Sequence, residues 1–165
     1  MDTSAVGRGE TIAGVSAVAL LLIMFIFDWF GFGGAIDTGI GTVDIGGGFN
    51  AWQSFEFIDI ILFLTIGAAI AVAAMAASGA GAGLPVAGSA IVTGLGGLST
   101  ILILYRILDT PGGSDREIGV FLGLIAAAGI TYGGWTAMQE EGTSFGDQAS
   151  GFGGGGDGPP PPPSA

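Results

Sequence analysis

Residues 57–77 read FIDIILFLTIGAAIAVAAMAA, and the reading of this stretch decides the fold. A helix rising about 1.5 Å per residue needs about 20 residues to cross about 30 Å of hydrocarbon. This run has that length, and Asp59 is its one charged residue. Helices on the surface of a water-soluble protein keep a polar face, and none is present here. Hydrocarbon offers the backbone no partners, so such a segment must close its own hydrogen bonds as a helix. A carboxylate at the bilayer centre costs about 3 kcal/mol on insertion scales. The Ile, Leu and Phe residues around Asp59 outweigh that at about 0.5 kcal/mol each.

Three further runs of the same kind flank it: Thr11 to Phe30, Val86 to Leu108 and Ile118 to Met138. The expected fold is therefore all-α, an antiparallel bundle of four transmembrane helices over residues 11–141. A short segment, 1–10, precedes it. The first run is too long for a signal peptide, and Asp28, Trp29 and Phe30 stand where a small-residue cleavage site would be needed. It reads as a retained span. Ser78 to Pro85 and Asp109 to Asp115 are short turn-rich connections, with Pro85 suited to the first turn of a helix. They make neighbouring spans antiparallel hairpins.

Composition agrees. Of 165 residues, 50% are hydrophobic and 10% charged, against about a quarter charged in soluble domains. Lys and Arg number 3 against 14 Asp and Glu, a net charge of -11, which argues against binding a phosphate backbone. No Cys or His occurs, so thiolate chemistry, zinc-thiolate sites and the usual general base are missing. No cofactor or metal is implied, and the expected partner is the lipid bilayer.

The long connection Gly31 to Asn50 is rich in glycine. Ile36-Asp37-Thr38 and Val43-Asp44-Ile45 flank Gly39-Ile40-Gly41, which admits a short β-hairpin beside the alternative of a solvated loop. Asp37 and Asp44 fall short of a calcium-loop pattern. Asn50-Ala51-Trp52-Gln53 reads as a capping box and places the start of the second helix near Ala51. From Gly142 the chain becomes Gly-, Ser- and Asp-rich and then runs through Pro159 to Pro163. Residues 142–165 are thus expected to be a disordered tail, with or without a partner for its prolines.

Charge points to one end of the bundle. The second span begins, and the third ends, on the same side, which brings Asp59 and Arg106 to comparable depth with Asp28 and Glu56 nearby. A juxtamembrane cluster is expected in which Arg106 faces Asp59, or Asp28 with a different packing order. The alternative has Arg106 snorkelling to water. The middles of the spans carry Thr65, Thr93, Ser99 and Thr131 but no charge, which argues against a proton or ion relay. Small residues at four-residue spacing, Gly119 and Gly123 and again Gly129 and Gly133, read as helix-packing positions, within one chain or between two. Trp29, Trp52, Tyr105 and Trp135 fall at span ends, as interfacial anchors do.

The amino terminus, second connection and tail share one face with Arg8, while Arg106 and Arg116 lie on the other. With so few basic residues, the length of the first loop places both termini in the cytoplasm.

Arg8-Gly9-Glu10 opening the first span, Asn50-Ala51-Trp52-Gln53 before an acid-bearing second, Tyr105-Arg106 closing the third and Gly133-Gly134-Trp135 with Met138 and Glu140-Glu141-Gly142 ending the fourth form an ordered set. Over residues 8 to 142 the layout resembles small, uncharacterised four-pass bacterial membrane proteins. That resemblance implies a multi-pass protein of the bacterial inner membrane and carries no activity. Gln139 stands where that pattern has a basic residue. The expected function is a non-enzymatic interaction or accessory subunit, alone or as a homo-oligomer. The alternative is an oligomeric small-solute transporter or channel component.

Overall fold

A computed structural model describes residues 6–54, 57–79 and 88–146. The chain is mostly helical, and four of its helices are long and apolar enough to cross a membrane: α1 (Arg8–Ile26), α3 (Ile58–Ser78), α4 (Gly88–Leu108) and α5 (Ile118–Glu140). Between them lie the strands β1 (Asp28–Phe32), β2 (Ala35–Asp37), β3 (Thr42–Asp44), β4 (Gly47–Asn50) and β5 (Asp115–Arg116), and the one-turn helix α2 (Ala51–Ser54). An all-α fold is therefore corrected to a helical core with a small β cap.

The correction begins at Phe27. The first span was expected to run to Phe30, but α1 stops at Ile26. Phe27 is extended at φ -102° and ψ 141°, and its N–H still donates to Ile23 O. Nineteen residues rise about 28 Å at about 1.5 Å each, enough for hydrocarbon without Asp28. The aromatics beyond Asp28 then serve a strand. β1 is the centre of a three-stranded sheet in the order β4-β1-β5, antiparallel to both neighbours. Consecutive strand residues point to opposite faces, and Trp29 and Phe30 are both fully buried, so the sheet is covered on both sides.

β2 and β3 form a separate antiparallel hairpin with Ile36 opposite Val43. Thr38 closes its tip by donating from N and Oγ1 to Gly41 O at 3.0 and 2.7 Å. At Asn50 the expected capping box is present: Gln53 N donates to Asn50 Oδ1 at 3.1 Å and Asn50 N to Gln53 Oε1 at 3.3 Å. It starts only the short α2, a turn separate from α3.

α1 packs on α3 and α5, and α4 packs on α3 and α5. The contacts between α1 and α5 run in opposite senses, with Gly9 at Ala137, Ala13 at Gly133 and Ser16 at Gly129. α3 ends on Gly79 at φ 71°, a left-handed cap that glycine adopts without steric cost. Residues 80–87, with Pro85, lie outside the described residues, as do Glu56 and the tail from Asp147 onward.

Candidate functional site

The β cap sits on the end of the helices where α1 and α4 finish and α3 and α5 begin. Glu117 N donates to Trp29 O at 3.0 Å, joining the start of α5 to β1. Arg116 Nε donates to Ile107 O at the end of α4. Asn50 Nδ2 donates to Phe25 O at the end of α1 at 3.5 Å. The cap therefore ties together segments distant in sequence, and the hairpin β2–β3 projects from it.

Trp29 was expected as an interfacial anchor. It is instead wholly buried, with its indole Nε1 donating to Ile23 O at 3.1 Å. Its ring occupies the space that side chains at Gly119 and Gly123 would need: a Cβ on Gly119 would lie 2.7 Å from Trp29 Cδ1, and one on Gly123 2.5 Å from Cζ2. These two glycines thus admit the cap to the helices. Gly129 and Gly133 bring helices together, since a Cβ on Gly129 would meet Ser16 Oγ at 2.5 Å and one on Gly133 would strike the Ala13 backbone.

The remaining aromatics are half exposed at the helix ends. Trp52 stacks on Phe25 at 5.9 Å and meets Phe63 edge-on at 6.2 Å. Tyr105 donates its hydroxyl to Asp109 Oδ2 at 2.8 Å. Trp135 lies 6.2 Å from Phe145.

Of the expected charge cluster, Asp28, Asp59 and Arg106 are among the described residues. Asp59, in the first turn of α3, and Arg106, in the last turn of α4, are at the same end of the helices. Asp28 belongs to β1 and is exposed, with its carboxylate over Gly48. Asp59 faces inward at 4% exposure, and its Oδ1 has no hydrogen-bond partner among the described residues.

Polar groups between the helices are paired instead. Thr65 and Ser99 share a hydrogen bond of 2.7 Å between α3 and α4, and Thr100 and Thr131 one of 3.3 Å between α4 and α5. Thr93 donates back to Ser89 O at 2.7 Å and packs on Gly134. At the end opposite the cap, Glu140 and Glu141 reach in different directions. Glu140 Oε2 accepts from Gly9 N in the first turn of α1 at 3.3 Å, while Glu141 Oε2 accepts from Ser89 Oγ in the first turn of α4 at 2.6 Å. Carboxylates are favoured at helix N-termini because the aligned peptide dipoles leave positive charge there. Sequence reasoning missed this role; its signal was two acids directly after an apolar span.

An open groove of about 460 Å³ lies between α4 and α5, lined by Gly97, Thr100, Ile101, Ala128, Thr131, Tyr132 and Trp135. A smaller cleft of about 210 Å³ sits in the cap between Phe30, Phe49, Gln53, Ser54 and Ser114. Among the described residues no group of three or more His, Cys, Asp or Glu comes together as a metal site. Comparison with known proteins returned no matching family model, no matching curated protein and no matching solved structure.

Proposed function

We propose that this chain is an integral membrane protein of the bacterial inner membrane, an antiparallel bundle of four spanning helices with both termini cytoplasmic and the β cap outside. Its role on this reading is that of a non-enzymatic interaction or accessory subunit, with the cap as the working surface. One observation carries the membrane assignment. The outward faces of the four helices are apolar, with Leu22, Phe63, Leu98 and Ile125 among their half-exposed residues. The hydroxyls of Thr65 and Ser99 are instead turned inward and bonded to each other. Water would invert that arrangement; lipid favours it, because polar side chains between helices then find partners.

The interaction role rests on where unpaired surface remains. The helices are joined by close glycine contacts, whereas the cap carries a hairpin that no other described residue covers. A second reading, an oligomeric transporter or channel component, draws on the α4–α5 groove, where Thr100 and Thr131 hydroxyls lie beside Gly97.

Alkaline carbonate extraction followed by sizing in detergent tests the proposal. The protein is expected to stay in the membrane pellet and to need detergent for a monodisperse peak. Release into plain buffer as a monodisperse species overturns the membrane assignment. A detergent-stable ring that admits a small solute into liposomes replaces the subunit reading with the channel one.

A further inference from the structure

Every residue from Ala35 to Val43 is exposed, so the hairpin β2–β3 has no covering layer among the described residues. Ile36 and Val43 face each other across it and are each 51% exposed. Ile45, just beyond β3, is 49% exposed, and Ile40 at the tip is 99% exposed. A two-stranded hairpin without a covering layer is marginal in water. Aliphatic side chains gathered on one exposed element mark an interaction surface.

Charge decides what covers it. Asp37 is on the hairpin itself, and Asp28, Asp109, Asp115 and Glu117 are exposed at the same end of the helices. Arg116 is the one exposed base among the described residues of that end, and it is turned to Ile107 O. A second copy would bring the same carboxylates to the contact, and anionic lipid headgroups would be repelled as well. A protein surface with an apolar socket and a Lys or Arg rim is complementary in both respects.

We infer that the β2–β3 hairpin is a docking element for another protein, whose apolar socket receives Ile40 with Ile36 and Val43 while basic residues around it face the acids of the cap. This rests on the subunit reading above and names the chemistry of the partner.

The test places a photo-crosslinking amino acid at Ile40 in the full-length chain in its native membrane, with a second probe at lipid-facing Phe121 as control. The expected result is one protein adduct from position 40 and none from 121. Its crosslinked segment, sequenced by mass spectrometry, should hold apolar residues flanked by Lys or Arg. Adduct yield should fall at least fivefold in an Ile36→Ser, Val43→Ser double variant and also on raising salt to about 0.5 M, where the Debye length shrinks to a few ångströms. No adduct, a self-adduct, a lipid adduct or a protein adduct insensitive to both changes overturns the inference. Carbonate extraction of the same samples separates the two failures: a chain that stays in the membrane without the adduct refutes the docking element alone. Unchanged elution of the double variant in detergent excludes misfolding as the cause of lost yield.

Discussion

Gly133 and Gly67 are both glycines inside long apolar helices, yet they do different things. At Gly133 a Cβ would strike the backbone of Ala13, so α1 and α5 meet there main chain to main chain; at Gly67 nothing lies within 4 Å. Gly133→Val must push the helices apart, an overpacking cost of about 1–3 kcal/mol. Gly67→Ala should not destabilise and should gain up to about 1 kcal/mol, since alanine is the better helix former and meets nothing there. Thermal midpoints in one detergent check the pair, and equal effects would contradict the assigned packing. Four-residue spacing of small residues holds at both positions, Gly129 with Gly133 and Gly67 with Ala71, because spacing marks a face without saying what faces it. The same limit explains Trp29. An indole beside Asp28 at the end of an apolar run has the signature of an interfacial anchor, and only the distant glycines at 119 and 123 reveal that it points inward. Trp29→Ala should cost about 3–5 kcal/mol by leaving a cavity, where truncating a lipid-exposed anchor would cost little. Unfolding in detergent measures the difference.

Among elements, the four long apolar helices were legible because each announces itself within its own stretch of sequence. α3 and α4 end within a residue or two of the expected positions wherever both are described. The cap was not legible. β1 pairs with β5 across most of the chain, Phe30 opposite Arg116, and a two-residue strand has no periodicity of its own. The hairpin showed through because its alternation and turn are local. Its exposure carries a consequence for stability. Replacing residues 35–44 with a short Gly/Ser linker should leave the detergent midpoint within about 0.5 kcal/mol of the parent, since no core is lost; a large fall would show that the hairpin supports the cap. At the other end of the molecule, Glu140 and Glu141 tie the end of α5 to the first turns of α1 and α4. Glu140→Gln and Glu141→Gln should each cost about 0.3–1 kcal/mol, measurable as lowered midpoints. No loss in either would mean that these contacts contribute nothing in solution.

At the scale of the whole molecule, the two ends differ in kind. One is closed by acids on helix N-termini; the other carries a sheet, a projecting hairpin and an excess of exposed carboxylates. Between them lies a belt whose outer surface is apolar and whose inner hydroxyls are paired. An apolar belt between two polar ends is what a membrane crossing requires. The native chain has no cysteine, so single cysteines report position without interference. Ile40→Cys marks the hairpin tip, Gly142→Cys the end of α5, and Ile70→Cys and Ile125→Cys the outer faces of α3 and α5. Labelling with a membrane-impermeant maleimide in sealed vesicles of each orientation tests the account most directly. It predicts that positions 40 and 142 react from opposite sides and that positions 70 and 125 stay unreactive until the protein is denatured. Reaction at 70 or 125 in intact vesicles, or at 40 and 142 from the same side, would contradict it.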